Sequence, residues 1–388
     1  MVPEVIRRGK TVNSPFKSDG GVALRAIKYL GDNLKYLSGP FSGVDFQEPQ
    51  ISKRQKIIKQ LKRLRWSPIS YTEKGSPKLD EESLMKLDKP EGKLIARWYI
   101  LKHRQAQIRG WIGGTNRNPG LRDDCRITAY ANPCGTNTGR MRHRQLVNVP
   151  KANKEVIFGK EMRSLFIVPE GYVLIGHDAS GLELRILAHY INDKKFTEEV
   201  THGDPHSYNQ EAAGLPTRDD AKTFIYAFIY GAGDKRLGSI VGGDSNDGKE
   251  LRRKFLSRNK RLAALISGVR QASSIGYLIG LDGRRLYIRS KHSALNTLIQ
   301  GGGAIVMKVS SILLDKWTVR EGPYNLNDIK KVGDFHDEGQ AEVRNDKKII
   351  ELYSNCAVKS IITAGTFFNL KCPLNAEVSV GNNWAETH

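Results

Sequence analysis

Two acidic residues follow strand-like apolar segments at widely separated points of the chain, and this pattern constrains the fold most. Asp178 comes directly after the apolar run Tyr172–Gly176 and His177, and Asp337 interrupts a second strand-like segment, Val332–Val343. If the two strands pair, both carboxylates lie side by side on a rigid sheet. Hard oxygen ligands held in this way can bind two divalent cations about 3.5–4 Å apart, as phosphoryl transfer requires. Taken singly, Asp178 could instead be a helix cap and Asp337 part of a turn.

A helical segment between these acids carries a second pattern. Arg218, Lys222 and Tyr226 recur every four residues and share one helix face, whereas the opposite face is apolar. Two cations and an aromatic ring in a row suit a nucleoside triphosphate, because the charges can meet the phosphates while the ring lies near the sugar and base. A structural helix with incidental charges remains the alternative for this segment alone.

The charge balance favours a polyanionic partner. The chain has 62 Lys and Arg against 41 Asp and Glu, a net charge of +21. Phosphate contacts release condensed counterions, so this excess predicts nucleic acid binding, although a basic ribosome-associated factor would have the same composition. The four cysteines include no CxxC pair, which argues against a zinc site. No apolar run approaches the roughly 20 residues of a membrane span, so we expect a cytoplasmic protein without a membrane partner.

The mixture of strand-like and helical patterns predicts an α+β fold. Residues 1–50 are interpreted as loop-rich, with a short helix within Val22–Leu37, and Ser52 with Gln55 resembles a capping box that opens a helix to Trp66. Further patterns predict a helix over Gly92–Trp111 and a strand over Arg126–Ala131. The helix from Ser52 has seven cations and an apolar stripe, which consists of Ile57, Ile58, Leu61 and Leu64.

The segments Asp178–Arg185, Arg218–Gly231 and His336–Glu338 resemble, in order and spacing, the three polymerase motifs of the DNA polymerase I family, family A. The resemblance is strongest to the replicative polymerases of T-seven-like phages and extends from about residue 45 to the end of the chain. Further segments that match this group are Leu215–Tyr226, Gly280–Arg284, Ala294–Gln300 and Asn383–His388.

This resemblance implies a right-hand polymerase with an antiparallel palm sheet, helical fingers and a partial helical thumb. The implied parts are a thumb with its loop-rich N-terminal segment over residues 1–110, palm over 111–194, fingers over 195–290 and palm again over 291–388. The implied reaction is DNA-directed addition of deoxynucleotides to a primer, with release of pyrophosphate, in phage DNA replication.

Resemblance also assigns roles to matching positions. Two Mg²⁺ ions would be held by Asp178, Asp337 and the carbonyl of Ala179, with Glu338 and Lys222 among the catalytic residues. Glu183 would exclude a ribose hydroxyl. The deoxynucleoside triphosphate would be bound by Arg218, Lys222, Tyr226, His206, Glu183 and Tyr230. The primer–template DNA would be contacted by Thr138, Arg140, Asn148, Arg289, His292, Asn296, Gln300 and His336.

Some features depart from the family pattern. Asp334 and Gly339 weaken the strand propensity around Asp337 and are expected to loosen its placement. Residues 1–45 match poorly, no exonuclease motif precedes the polymerase motifs, and the apolar stripe is expected to lack a cover. We therefore expect a separate partner protein that supplies the exonuclease and the other half of the thumb. A single-subunit RNA polymerase and a catalytically inactive DNA-binding homologue are the alternative functions.

Overall fold

The computed structural model describes residues 54–68, most of 71–113, 120–153 and 156–387, together with the backbone of two short N-terminal strands and the isolated residues 17, 23, 24 and 28. The chain divides into two compact units, residues 1–106 and 107–388. The strands β1 (Glu4–Arg7) and β2 (Lys10–Asn13) form an antiparallel hairpin within the segment expected to be loop-rich. Most of the expected helix over Val22–Leu37 and the capping residue Ser52 lie outside the described residues.

In the first unit, a small core covers the apolar stripe of helix α1 (Arg54–Arg63). Ile57 and Leu61 are 3% and 0% exposed, and Ile58 packs against the same cluster. The expectation that this stripe lacks a cover is therefore wrong, because side chains from the next two helices, α2 (Glu81–Met85) and α3 (Pro90–Gly113), and the segments beside them enclose it. The enclosing residues are Trp66, Leu84, Leu87 and Ala96. Helix α3 confirms the helix predicted over Gly92–Trp111.

The second unit is built on a four-stranded antiparallel sheet with the strand order β10-β5-β9-β8. Its strands are β5 (Tyr172–Ala179), β8 (Ile329–Phe335), β9 (Glu338–Arg344) and β10 (Ala376–Gly381). The two acidic segments pair as predicted, with Asp178 opposite Glu338. A tight turn joins β8 to β9 at His336 and Asp337, where His336 takes a left-handed φ of 61°.

Two long helices, α12 (Ala294–Asp315) and α13 (Lys347–Phe367), pack with this unit's sheet and helical core. Alternate residues of β5, Val173 and Ile175, meet Ile349 and Tyr353 in one core cluster. The segment Lys291–Arg320, which contains α12, has the length and apolar content of a membrane span, and 56% of its most apolar window is buried. Gly302 lies so close to the helix of Ile186 that an added Cβ would be 2.9 Å from Ile186 Cγ2, which identifies α12 as a core helix.

Helix α4 (Gly159–Ser164) precedes β5. The α-helices that follow β5 surround a cluster of aromatic and aliphatic side chains centred on Phe224, Phe228 and Phe255. They are α5 (Leu182–Ile191), α6 (Lys194–Thr201), α7 (Pro205–Ala213), α8 (Arg218–Ile229), α9 (Asp234–Gly238), α10 (Ser245–Arg258) and α11 (Lys260–Ala272).

Two short hairpins complete the described part of this unit: β3 (Tyr130–Asn132) with β4 (Arg142–Arg144), and β6 (Tyr277–Ile279) with β7 (Arg285–Tyr287). The strand predicted over Arg126–Ala131 is wrong over most of its length. Ile127 makes only an isolated bridge to Leu121 across a turn, and regular pairing begins at Tyr130.

Candidate active site

Asp178 and Asp337 come together at one edge of the sheet. The Ala179 N–H donates to the Asp337 carbonyl oxygen at 3.0 Å, which ties the β8–β9 turn to the end of β5. Asp178 is exposed and Asp337 is half-buried, so both carboxylates are accessible to a ligand. Among the described residues, no cluster of three or more His, Cys, Asp or Glu side chains has the arrangement of a metal site. Two accessible carboxylates nevertheless suit a hard divalent cation that takes its remaining oxygen ligands from water and phosphates.

The two departures in the third motif lie inside paired strands. Asp334 pairs with Gly339 in the ladder, and its carboxylate lies 3.3 Å from Lys331 Nζ and accepts from the Ser311 hydroxyl. A Cβ at Gly339 would lie 2.3 Å from the ring of His177, so the histidine occupies the space that a side chain there would need. Burial lowers the pKa of His177 to about 4, which leaves its imidazole neutral near pH 7.

Glu338, which the resemblance places among the catalytic residues, is engaged with the C-terminal segment. Its carboxylate is 6% exposed and accepts from the Trp384 indole N–H at 2.6 Å and from Gln340 Nε2 at 2.7 Å. Thr387 in turn donates to Gln340 Oε1 at 2.9 Å, and the Trp384 ring stacks on Phe335. This network joins the end of the chain to the two strands that flank the β8–β9 turn.

The carboxylate of Glu183 is fixed from both sides. Arg140 Nη2 donates to one oxygen at 2.6 Å, and the Tyr230 hydroxyl donates to the other at 2.9 Å. Burial, and then the charge of Glu183, raise the pKa of Tyr230 well above its usual value, so the hydroxyl remains a donor. Glu183 itself is 9% exposed at the start of α5, and its orientation is thus set before any ligand binds.

Tyr226 connects α8 to the acidic edge of the sheet. Burial raises its pKa, and the carboxylates of Glu183, Asp337 and Asp178 raise it further, which places its hydroxyl in the field of all three. The His206 ring centroid lies 6.3 Å from that of Tyr226. Burial lowers the pKa of His206.

The cations of α8 lie on its exposed face, as the spacing predicts. Thr217 caps the helix by accepting from the Asp220 N–H, and Phe224, Ile225 and Phe228 are buried on the opposite face. Lys222 is exposed. Arg218 forms a two-point contact with Asp204, with Nε at 2.6 Å and Nη2 at 3.1 Å, and this hydrogen bond holds the pKa of the Asp204 carboxyl far below its usual range.

A loop over residues 136–140 lies against α12 and the β6–β7 hairpin. Arg284 Nη2 donates to the Thr138 carbonyl at 3.1 Å, and Lys308 Nζ donates to the Gly139 carbonyl at 2.7 Å. Gly139 has a left-handed φ of 77°, which favours glycine, and the Arg284 guanidinium lies against it. Near this loop, Arg289 Nη2 contacts Asn137 Oδ1 at 3.4 Å.

The other residues that the resemblance assigns to DNA contacts lie on several elements of the second unit. His336 is exposed in the β8–β9 turn, and His292 is exposed just before α12. Asn296 and Gln300, on α12, are half-buried. Asn148 is exposed with a left-handed φ of 51°, and its carbonyl accepts from Gln107 Nε2 at 3.0 Å.

A profile of DNA polymerase family A matches residues 43–386. The chain belongs to DNA polymerase family A. The DNA-directed DNA polymerase of Escherichia phage Phieco32 is 36% identical over 76% of this chain and 60% of its own length. The DNA-directed DNA polymerase of Escherichia phage T7 is 34% identical over 92% of this chain and 55% of its own length. The chain thus spans little more than half the length of these relatives.

A solved structure agrees at the level of the fold. The POL domain of Pol1 from M. smegmatis, in complex with DNA primer-template and dNTP, superposes with a TM-score of 0.73 at 22% identity. The superposition covers 88% of this chain and 62% of that chain. The predicted family and the predicted α+β polymerase fold are therefore confirmed.

Several residues that contact the candidate site of this family A member are not predicted by the sequence patterns. The sequence does not identify Asp204 as the partner of Arg218. Asp204 caps α7 and Arg218 begins α8, and the spacing of residues within one helix does not show which residue of another segment packs against it. Arg284 and Lys308, which hold the 136–140 loop, were likewise given no role. The signal that could have found Arg284 was its place in the matching segment Gly280–Arg284.

Proposed function

We propose that this chain is a DNA-directed DNA polymerase that adds deoxynucleotides to a primer terminus and releases pyrophosphate, in phage DNA replication. The observation that carries the proposal is the convergence of Asp178, near the end of β5, and Asp337, in the β8–β9 turn that is hydrogen-bonded to β5. Tyr226 of the cationic helix α8 lies in the field of both carboxylates. Family membership and the similarity to two phage polymerases support the same activity.

Asp178, Asp337 and the carbonyl of Ala179 would hold two Mg²⁺ ions. When bound, such ions activate the attacking primer hydroxyl and neutralise charge that develops on the phosphates. The protein would hold the two carboxylates at a rigid edge of the sheet, because the Ala179–Asp337 hydrogen bond fixes the β8–β9 turn relative to β5. Preorganised ligands of this kind need no reorganisation at the moment of reaction.

The triphosphate would lie along α8, with Lys222 and Arg218 meeting its phosphates and His206 adding a neutral ring donor nearby. Arg218 would exchange its contact with Asp204 for one with phosphate, because a guanidinium binds either anion through the same two-point geometry. Lys222 would also stabilise the leaving pyrophosphate.

The sugar would lie between Tyr226 and Glu183. Because Arg140 and Tyr230 fix the Glu183 carboxylate, that carboxylate cannot rotate aside for a 2′-hydroxyl, and the pocket would select deoxyribose. Tyr230 would also stack near the templating base.

Primer–template DNA would lie across the 136–140 loop and the N-terminal part of α12. Acceptors in the minor groove are common to all correct base pairs, so side chains there report geometry rather than sequence. The residues that we assign to this surface are Thr138, Arg140, Asn148, Arg289, His292, Asn296, Gln300 and His336. The exposed cations of α1, including Lys59, Lys62 and Arg63, would contact the phosphate backbone.

We further propose that the four parts of the hand follow the boundaries 1–110, 111–194, 195–290 and 291–388. A separate partner that supplies the exonuclease and the other half of the thumb stays a proposal. The apolar stripe of α1 no longer supports it, because Ile57 and Leu61 are buried within the first unit. A single-subunit RNA polymerase is disfavoured by the fixed carboxylate of Glu183, and an inactive homologue by the accessible pair of aspartates.

Primer extension tests the proposal directly. The purified chain should extend a DNA primer on a DNA template with deoxynucleotides and Mg²⁺, and should add ribonucleotides far more slowly. Chelation of Mg²⁺ with EDTA should stop extension while primer–template binding persists. Extension with ribonucleotides at an equal rate would favour the RNA polymerase, and no extension with either would favour the inactive homologue.

A further inference from the structure

A row of three residues crosses the sheet directly behind the β8–β9 turn, and these residues have no role in the proposed reaction. Asp334 on β8 pairs with Gly339 on β9, and Gly339 pairs with His177 on β5. Two of these residues are polar and the third lacks a side chain, in strands whose neighbours Ile175 and Ala341 are wholly buried. Asp334 is half-buried and already contacts Lys331 and Ser311, whereas the buried His177 imidazole costs stability unless it also finds a partner.

The His177 ring occupies the place of the missing Gly339 side chain. An added Cβ at Gly339 would lie 2.3 Å from both Cε1 and Nε2 of that ring. On α13, Tyr353 meets the same ring edge-to-face, with centroids 6.3 Å apart. His177 is only 6% exposed, so its position is fixed by packing.

A small cavity opens beside this row, with a volume of about 20 Å³. Its lining includes His177, Asp334, Ser311 and His336. Nδ1 of His177 is buried and makes no hydrogen bond within the described part of the chain. A volume of this size holds one water molecule, and buried waters usually satisfy polar groups that the chain leaves unpaired.

We propose that this cavity is a water site in which one ordered water binds His177 Nδ1 and bridges it to Asp334 and Ser311. The bridged row forms a rigid base under the β8–β9 turn, because His336, which precedes Asp337, lines the same cavity. His177 is thus a positioning residue for Asp337. This second role rests on the function proposed above, whereas the water site itself does not.

A crystal structure at a resolution that shows ordered water tests the site without reference to activity. A water should lie about 2.7–3.2 Å from His177 Nδ1, within reach of Asp334 or Ser311. An empty cavity, or an imidazole whose Nδ1 bonds a protein atom instead, would overturn the water site.

A double-mutant cycle tests the packing of the row. Gly339→Ala should lower the midpoint of thermal unfolding, because the new methyl group collides with the His177 ring. In a His177→Ala background the same substitution should lower it far less, since the space is free. Equal decreases in both backgrounds would show that the ring does not occupy the Gly339 position.

Two variants of nearly equal size test the positioning role. His177→Leu removes the polar partner of the water, and we expect kcat to fall about tenfold, the equivalent of one hydrogen bond. DNA affinity and KM for the nucleotide should stay near the wild-type values. His177→Asn can still bind the water and should recover most of kcat. A folded His177→Leu enzyme with wild-type kcat would overturn the role, and an inactive wild type would refute the proposed function while leaving the water and packing tests intact.

Discussion

Glu183 and Tyr226 are the single residues on which sugar selection depends in this account. Glu183→Ala should admit ribonucleotides, because it removes the carboxylate that Arg140 and Tyr230 hold in place. The measurement is the ratio of single-nucleotide incorporation rates for a deoxynucleotide and its ribonucleotide. Tyr230→Phe is the informative control, since it keeps the carboxylate and removes one of its two donors, and it should relax the ratio less. An unchanged ratio in Glu183→Ala would refute this part of the pocket.

A separate prediction concerns Tyr226 and the use of chain-terminating nucleotides. The family resemblance suggests that its hydroxyl stands in for the missing 3′-hydroxyl of a dideoxynucleotide. Tyr226→Phe should therefore increase discrimination against dideoxynucleotides while leaving incorporation of deoxynucleotides nearly unchanged. Competition between the two nucleotides in a primer-extension assay measures this. Equal use of terminators by both enzymes would contradict it.

The sequence predicts which residues belong to the candidate site better than it predicts which side chains contact one another. The chemistry of phosphoryl transfer and the helical spacing identified Asp178, Asp337, Arg218 and Lys222 from the sequence alone. The contact between Arg218 and Asp204 could not be predicted, because it depends on how two helices pack. The hydrogen bond between Trp384 and Glu338 could not be predicted either, because the two residues are far apart in the sequence and meet only in the folded chain.

At the scale of elements, substitutions in and beside α1 test whether its apolar stripe belongs to a core or to an interface. Leu61→Ala should lower the free energy of unfolding by about 2–5 kcal/mol, because Leu61 is 0% exposed and its loss leaves a cavity. Leu64→Ala, at a half-buried position directly after this helix, should cost clearly less. Chemical denaturation measures both. Similar small costs, together with self-association of the wild type, would mean that the stripe is an interface after all.

The C-terminal segment makes a second element-scale prediction. Trp384→Phe keeps a ring on Phe335 but removes the N–H that donates to buried Glu338, at an expected cost of about 1–3 kcal/mol. Trp317→Phe, at a half-buried position in the π-helical turn Lys316–Arg320, is the control and should cost little. Chemical denaturation compares the two. Equal costs would mean that the Trp384–Glu338 hydrogen bond contributes nothing.

Elements with a strong period could be predicted well, and those shaped by local geometry could not. Apolar runs gave β5 and the amphipathic α8, and the pairing of the two acidic strands followed from the chemistry they would share. The expected strand over Arg126–Ala131 fails because alternation alone does not show the turn at Arg122–Cys125 that precedes it. Around Asp337, low strand propensity is overridden because His177 fills the space at Gly339 and Asp334 finds Lys331.

At the scale of the whole molecule, the net charge of +21 predicts how binding depends on salt. If the chain neutralises about six to ten phosphates, its affinity for primer–template DNA should fall about 10³- to 10⁵-fold between about 50 and 200 mM salt. Replacing Lys59, Lys62 and Arg63 of α1 by glutamine should reduce the slope of log affinity against log salt by about one for each lost contact. Fluorescence anisotropy provides the data, and an unchanged slope would remove α1 from the DNA surface.

Asp178 and Asp337 act together in the proposed reaction, and single-turnover extension by preformed enzyme–DNA complexes tests this most directly. Asp178→Asn and Asp337→Asn should each abolish nucleotide addition, with a loss of at least about 10³-fold, because each removes charge that stabilises the transition state. Their affinity for primer–template DNA should remain close to that of the wild type. Near-normal turnover in either variant would contradict the account.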